Sequence, residues 1–412
     1  MGKKSPAPAR GWQAHAAPLA FLLAFFCLGV VLYHTLAGGT LLAANPYDSY
    51  SLQAQNWLAG SLSIRNGEAY PWLELAVFQG RYYLSFPPVP TLFALPWAAL
   101  GGGAAAPANL LVAGYAAAGL AAVYVCFARL GHPPQACAFW ASFFVLATNL
   151  LGLCCSGGVW YQAQVLNFML CALGAWQFAA GHRGRCLFLF ALAVGCRPFS
   201  ALYLPLALLL FRLQDRREGR AAGWTLKNAL AGLAAAVLVA AGLMALNVLR
   251  FGDPFEFGHT YLPEFQRSER GQFSLSYLPG NLLALLRPVT LTADLALDFP
   301  RFDGFLFFLS NPVFLAWSAR MVRGWQEKGD GRIAGLLTGG AFLLGLLLLC
   351  AHRTTGGWQF GARYTVDLLP AALLYFCAVP QAPPRRWERA CCLLGVLFNA
   401  FGAVYMLIGM PG

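Results

Sequence analysis

The sequence predicts an all-α protein, a polytopic membrane helical bundle of about 11 crossings, and three observations carry that prediction. Of the 412 residues, 59% are hydrophobic and only 11% charged, with a mean hydropathy of +0.58, a composition suited to lipid and not to water. Apolar runs recur along the whole length, separated by short polar segments. The basic residues cluster between those runs instead of forming a stripe on a soluble domain, so a formal charge of +12 does not point to nucleic acid.

Taken in order, the expected spans lie near 17–36, 109–128, 135–153, 161–180, 186–196, 198–211, 228–249, 304–319, 333–351, 365–380 and 390–408. A cytoplasmic N-terminus puts 18 of the 28 Lys and Arg residues inside, including all four lysines, while 11 of the 16 acids fall outside. The inner clusters are then Arg212 to Lys227, Arg320 to Arg332 and Arg385 to Arg389. No small-residue cleavage site follows Leu19 to Leu36 before Asn45, so the first span is expected to stay as an anchor behind Lys3, Lys4 and Arg10. Residues 1–412 read as one multi-pass domain of the cell membrane, with a first outer loop at 37–108 and a second long outer loop at 250–303. Val89 to Leu100 is short and contains Pro90 and Pro96, so it is expected to be re-entrant or interfacial. Segments 186–196 and 198–211 are each too short to cross roughly 30 Å of hydrocarbon as straight helices. Their flanks are both basic, and a broken hairpin with its break at Cys196-Arg197-Pro198 satisfies both facts. An arginine at that depth requires a polar or water-filled surrounding. The 12 cysteines sit almost entirely in apolar runs without CxxC spacing, as buried small hydrophobes do.

Asn45 to Pro90 is the longest early polar stretch. Asn45-Pro46 reads as a helix start, and Tyr47, Tyr50, Ser51, Ala54, Trp57 and Leu58 recur at helical spacing, giving an amphipathic helix in the headgroup layer. Asp48 then stands just above the hydrocarbon, where the reactive end of a lipid-linked substrate would sit. The competing reading is that Asp48 completes a capping-box-like start three residues after Asn45. Other polar groups converge on the same face: Glu68, Glu74, Arg81, Tyr82 and Tyr83; Trp160, Tyr161 and Gln162; Arg197; and Arg353 to Tyr364. Every basic residue assigned to this face is Arg, whose fixed fork grips phosphate oxygens in two places. Arg81, Arg197, Arg353 and Arg363 are the candidates; pairing with outer acids or snorkelling to headgroups is the alternative for each. Glu74 is a second candidate carboxylate or a solvated helix residue. Tyr82, Tyr83, Trp160, Tyr161, Trp358 and Tyr364 are candidates for contact with sugar or lipid, and belt anchoring explains such aromatics equally well. Gly356-Gly357 offers backbone amides to a phosphate, or simply a tight turn. His259 and His352 have no partner at metal spacing.

The order of these features, with GRYYLSFPPVPTLFALPWAALGG after the amphipathic helix, a helix-breaking CRP and a late GARY, resembles the multi-spanning GT-C glycosyltransferases. More narrowly it resembles bacterial relatives of the protein mannosyltransferase and aminoarabinose transferase group, over residues 17 to 380. The resemblance implies a sugar transferred from a polyprenyl-phosphate donor to a hydroxyl on a glycan, lipid or protein acceptor, with inversion, at the extracytoplasmic face. It also implies that Asp48, in the position of the family's first-loop Asp, is the base or acceptor-orienting carboxylate. Where many relatives carry two adjacent acids this chain has Asp48-Ser49, which removes support for a bound divalent metal; no cofactor is expected. A lipid-linked-oligosaccharide ligase or polymerase and a lipid or sugar transporter are the alternatives. The spans are nearly free of acids, which disfavours the transporter.

Overall fold

The computed structural model describes residues 10–101, 105–326 and 329–409; Lys3, Lys4 and Lys328, used above for orientation, lie outside them. Helix α1 (Arg10–Leu36) leads through a short loop into α2 (Ser49–Leu58), a hairpin of β1 (Leu75–Phe78) and β2 (Arg81–Leu84), and α3 (Val89–Leu100). The bundle continues with α4 (Ala108–Arg129), α5 (Pro134–Val145), α6 (Leu150–Leu153), α7 (Val159–Ala179), α8 (Arg183–Val194), α9 (Tyr203–Arg217) and α10 (Ala222–Phe251). A long loop then carries the small helices α11 (Pro263–Gln266) and α12 (Leu278–Leu285) and a second hairpin of β3 (Thr290–Leu291) and β4 (Leu297–Asp298). The chain closes with α13 (Phe307–Ser310), α14 (Val313–Gln326), α15 (Asp330–Ala351), α16 (Leu369–Ala378) and α17 (Arg386–Ile408).

Among the described residues, five helices are long and apolar enough to cross a membrane: α1 from Gly11, α4, α10, α15 and α17. Large apolar side chains such as Phe21, Leu238, Leu343 and Leu394 stand exposed along α1, α10, α15 and α17, which suits helices facing acyl chains. The central helix is different. α7 is buried on nearly every side, and its buried set includes Gln162, Gln164, Asn167 and Gln177. It packs between α4 and α8 and against α16, so its amides can reach several neighbours at once.

Three expected spans are modified. The stretch 135–153 breaks after Val145, and Asn149 sits in the break. The stretch 304–319 becomes the short α13 followed by α14 from Val313. The stretch 365–380 begins as a 3₁₀ turn, Arg363–Leu368, before α16. The broken hairpin is present as α8, an extended Arg197, a 3₁₀ turn at Pro198–Leu202 and α9. The two β-hairpins depart from the all-helical expectation. In the first, Gln79 and Gly80 both adopt positive φ (49° and 71°), the backbone a two-residue hairpin turn needs, and glycine supplies half of it without steric cost.

Candidate active site

The first loop folds around Asp48. Helix α2 begins three residues later than expected: Asp48, not Asn45, is its N-cap, with Oδ1 accepting from the Ser51 amide at 3.1 Å. Asn45 instead accepts from the Tyr47 amide at 2.9 Å and donates to Asn109 at 2.9 Å, stitching the loop to α4. The buried face of α2 also differs from the helical-spacing reading, because Gln53 and Asn56 are buried while Leu58 is exposed. Helix α3 is the reason: it packs along α2, and the Thr91 hydroxyl donates to Gln53 at 2.5 Å. The first amide of α3, Val89, donates to the Gly195 carbonyl at 2.9 Å, so the first loop is seated on the α8–α9 break.

Asp48 is 8% exposed. Its Oδ1 also accepts from Nε2 of Gln162 on α7 at 3.0 Å, whereas its Oδ2 is buried with no partner among the described residues. Burial pushes its pKa up, against the hydrogen bonds from Ser51 and Gln162 that pull it down. Glu74, just before β1, accepts from the Trp160 indole at 3.0 Å. Its pKa is also raised by burial, despite that bond, with nearby Glu264 adding to the rise and Arg363 opposing it. The Trp160 ring packs on Tyr47 at 5.6 Å.

Arg197 and Arg363 come together over Tyr364, whose ring centre lies 5.0 Å from the first guanidinium and 4.8 Å from the second. Arg197 donates through Nε to Oδ2 of Asp367 at 2.8 Å and through Nη2 to the same oxygen at 2.7 Å. Asp367 is missed by the sequence reading, although the demand for a polar surrounding at Arg197 is a signal for it. Its Oδ1 is buried without a partner among the described residues. Arg363 is 5% exposed and donates to the Gly356 carbonyl at 2.5 Å and to Gln164 of α7 at 2.8 Å. It is therefore the carbonyl of Gly356, and not an amide of the Gly-Gly pair, that makes the contact. Gly356 has φ 123°, and a Cβ there would meet Arg363 Nε and Gln359 Nε2 at 3.0 Å each. A side chain would block this approach. Gln164 is also missed; three amides in the first turns of one apolar span, Gln162, Gln164 and Asn167, are its signal.

The Arg363 segment is fixed from behind by an amide network at the α5–α6 break. Asn149 donates to the Phe360 carbonyl at 2.8 Å and accepts from the Ala362 amide at 3.0 Å. Asn311 donates to Asn149 at 2.8 Å and to Thr365 at 3.1 Å, and Asn149 also donates to Asn399 of α17 at 3.2 Å. Tyr161 donates to the Trp358 carbonyl at 2.8 Å and lies 5.5 Å from the Arg363 guanidinium. Tyr161, Trp358 and Arg363 also line a small cavity of about 50 Å³ that reaches between Tyr33 of α1 and Met406 of α17.

Other candidates are placed elsewhere. Arg81 stands exposed at the tip of the first hairpin, outside the cluster. Tyr82 covers Gly67, and Tyr83 is buried edge-on against Phe251 at 5.2 Å, so both are packing residues of the hairpin. Arg353 turns toward the long loop, 6.0 Å from the Phe265 ring, with Nη1 buried and unpartnered among the described residues. His259 and His352 pack against Phe265. Burial, then the neighbouring His352 and Arg197, lowers His259 to about 4, so it is neutral at pH 7.

No family model and no curated sequence matches the chain. Solved structures do. ArnT from Cupriavidus metallidurans bound to undecaprenyl phosphate superposes with a TM-score of 0.51 at 15% identity, over 92% of this chain and 62% of that one. Its apo form gives 0.51 and 15%, over 88% and 61%. An oligosaccharyltransferase from Archaeoglobus fulgidus in the apo form gives 0.50 and 12%, over 94% and 55%. The chain has the GT-C fold. It spans about three fifths of the length of the ArnT chain. Within this GT-C fold, α7 is the shared post. Gln162 fixes Asp48 from the first loop, and Gln164 fixes Arg363 from the last.

Proposed function

We propose that the protein is a membrane glycosyltransferase that moves a sugar from a polyprenyl-phosphate donor to a hydroxyl acceptor, with inversion and with Asp48 as the base. The observation that carries this reading is a buried carboxylate with one oxygen held by the fold and the other unpartnered among the described residues, on the GT-C fold, together with half-buried Arg197 and buried Arg363, which both lie against the Tyr364 ring. In the reaction, Asp48 Oδ2 takes the proton of the acceptor hydroxyl as that oxygen bonds to the anomeric carbon. The bond from that carbon to the phosphate oxygen breaks, its electron pair stays on the phosphate, and Arg197 and Arg363 stabilise the charge. Asp367 holds Arg197 in place, and Glu74 lies on the acceptor side with Trp160. Tyr161, Trp358 and Tyr364 supply apolar and aromatic surface for lipid and sugar.

The positive-inside distribution supports a cytoplasmic N-terminus and an extracytoplasmic site. No metal takes part in this reading, since a single carboxylate, Asp48 followed by Ser49, stands where many members of the resembled group carry two adjacent acids. A lipid-linked-oligosaccharide ligase is the second reading, favoured by the likeness to an oligosaccharyltransferase. Purified protein should transfer label from a polyprenyl-monophosphate sugar in the presence of EDTA. Label moved only from a polyprenyl-diphosphate donor would select the ligase, and transfer restored only by added divalent metal would overturn the metal-free reading.

A further inference from the structure

The second hairpin is built with its apolar face outward. From Thr290 to Asp298 every residue is exposed, and three are leucines: Leu291 at 61%, Leu295 at 78% and Leu297 at 59%. Leu291 and Leu297 are register partners across the two strands, so their side chains share one face. Leu295 sits in the turn with φ 58°, and the turn is closed by the Thr292 hydroxyl, which donates to the Ala296 carbonyl and accepts from its amide, both at 3.1 Å. This is an ordered two-sided ribbon, leucine on one side and Thr290 and Asp298 at the root of the other. None of the described residues covers the leucines.

The root of the hairpin fixes what does. Asp298 accepts from the hydroxyl of Tyr405 at 3.2 Å, and Tyr405 belongs to the last turns of α17. Phe299, the next residue, packs on Phe401 at 5.4 Å and on Tyr405 at 5.5 Å. Arg301 lies 4.7 Å from the Tyr405 ring. Phe401, Val404 and Ile408 are themselves exposed along α17, a helix long and apolar enough to cross the membrane. The ribbon thus springs from the lipid-facing flank of a spanning helix, one to two turns from its end, at the depth where acyl chains meet headgroups. An arginine and a tyrosine at its base suit that boundary.

We propose that the Thr290–Asp298 hairpin is a membrane-dipping anchor, with Leu291, Leu295 and Leu297 inserted among acyl chains of the leaflet that holds the C-terminal end of α17. The long loop is then pinned to the bilayer beside the site as well as to the bundle. The test is a nitroxide at Leu295→Cys in a Cys27→Ser, Cys391→Ser background, in phosphatidylethanolamine–phosphatidylglycerol nanodiscs. Collision with oxygen should exceed collision with a water-soluble nickel chelate several-fold, as at a Leu397→Cys control on the exposed flank of α17. Leu297→Cys should report the same, independently of any effect on the turn. Preferential collision with the nickel chelate, as at a Gln79→Cys control on the first hairpin, would overturn the proposal. So would loss of both collisions with dipolar broadening between labels, because that would place a second copy of the chain on the leucines.

Discussion

Buried carboxylates occur at both ends of the bundle, and they are finished differently. Near the start of α8, Asp215 accepts from both Nη1 and Nη2 of Arg183 at 2.6 Å, from Arg220 at 3.2 Å and from Thr225 at 2.6 Å. Near the start of α17, Glu388 accepts from Arg320 twice at 2.7 Å and from the Arg385 amide at 2.7 Å. Every oxygen is engaged. At the opposite end, Asp48 and Asp367 each keep one buried oxygen without a partner among the described residues. A carboxylate with both oxygens engaged by its own fold has little acceptor capacity left for an incoming hydroxyl, whereas one with a whole oxygen unengaged does, and natural folds rarely leave buried acceptors empty without a reason. The first kind of carboxylate specifies the structure. The second is where another molecule is expected.

The comparison breaks most visibly at Asp48. Asp48→Asn keeps the cap and the Gln162 contact through the amide oxygen, since Asn caps as well as Asp, but the new group cannot take a proton near neutral pH. Sugar transfer should fall by about a hundredfold to ten-thousandfold with the yield of folded protein unchanged. Near-normal transfer would reduce Asp48 to a helix cap and send the search for a base to Glu74. At the saturated end the outcome reverses. Glu388→Ala leaves Arg320, 7% exposed, without its main partner and should cost about 3–5 kcal/mol of stability, measured by denaturation in micelles, while transfer per folded molecule stays the same. A loss of specific activity there would mean that the two ends are coupled.

A smaller effect tests the post between the site's halves. Gln164→Leu removes an acceptor from Arg363 Nη1 and a donor to the Arg363 carbonyl, the latter at 3.1 Å. Arg363 retains Gly356 and Gln359, so the fold should survive at a cost of about 1–3 kcal/mol. Donor binding should weaken about tenfold, equivalent to about 1.4 kcal/mol. An unchanged KM for the donor would show that Arg363 does not grip it.

How much of this is legible in the sequence is uneven, for physical reasons. Apolar runs and charge asymmetry report directly on lipid, so the helical bundle and its order are readable. Asp48, Arg197 and Arg363 are readable because a charge beside or within an apolar run is costly and needs a cause. The breaks are not. Asn149 and Asn311 look like ordinary polar interruptions until the fold brings them, from 162 residues apart, behind Ala362. Gln164 is hidden by its neighbours, since an amide inside an apolar helix gives no sign of which partner it will meet. Arg81, Tyr82 and Tyr83, read from the sequence as candidates for phosphate and sugar or lipid contact, lie on a strand whose alternation packs Tyr83 inward and leaves Arg81 exposed next to the hairpin tip.

The smallest expected effect is the most discriminating, because its sign differs between the two ends. Burial raises the Asp48 pKa in the folded protein. Such a carboxyl contributes its full stability below its unfolded value, near 4, and that contribution is lost as pH rises through the raised folded value. Asn does not titrate, so the stability of Asp48→Asn relative to the parent should rise from acid to neutral pH and then level off. Asp215 runs the other way. Burial alone would raise it, yet hydrogen bonds from Arg183 and Thr225 hold its pKa below the usual carboxylate value. Its contribution is present above the unfolded pKa and lost as pH falls through the depressed one. Asp215→Asn should therefore be less stable than the parent at neutral pH, and that deficit should shrink as pH falls below about 4. A tenfold difference in proton affinity between the folded and unfolded chains corresponds to about 1.4 kcal/mol, and other carboxylates cancel in the comparison with the parent. Thermal midpoints of both variants and the parent, followed from about pH 2 to 8, should give curves of opposite slope, the Asp215 change falling below about pH 4 and the Asp48 change above it. Curves of the same sign would mean that Asp48 is as fully compensated as Asp215, and the unpartnered oxygen would no longer mark a place for the acceptor.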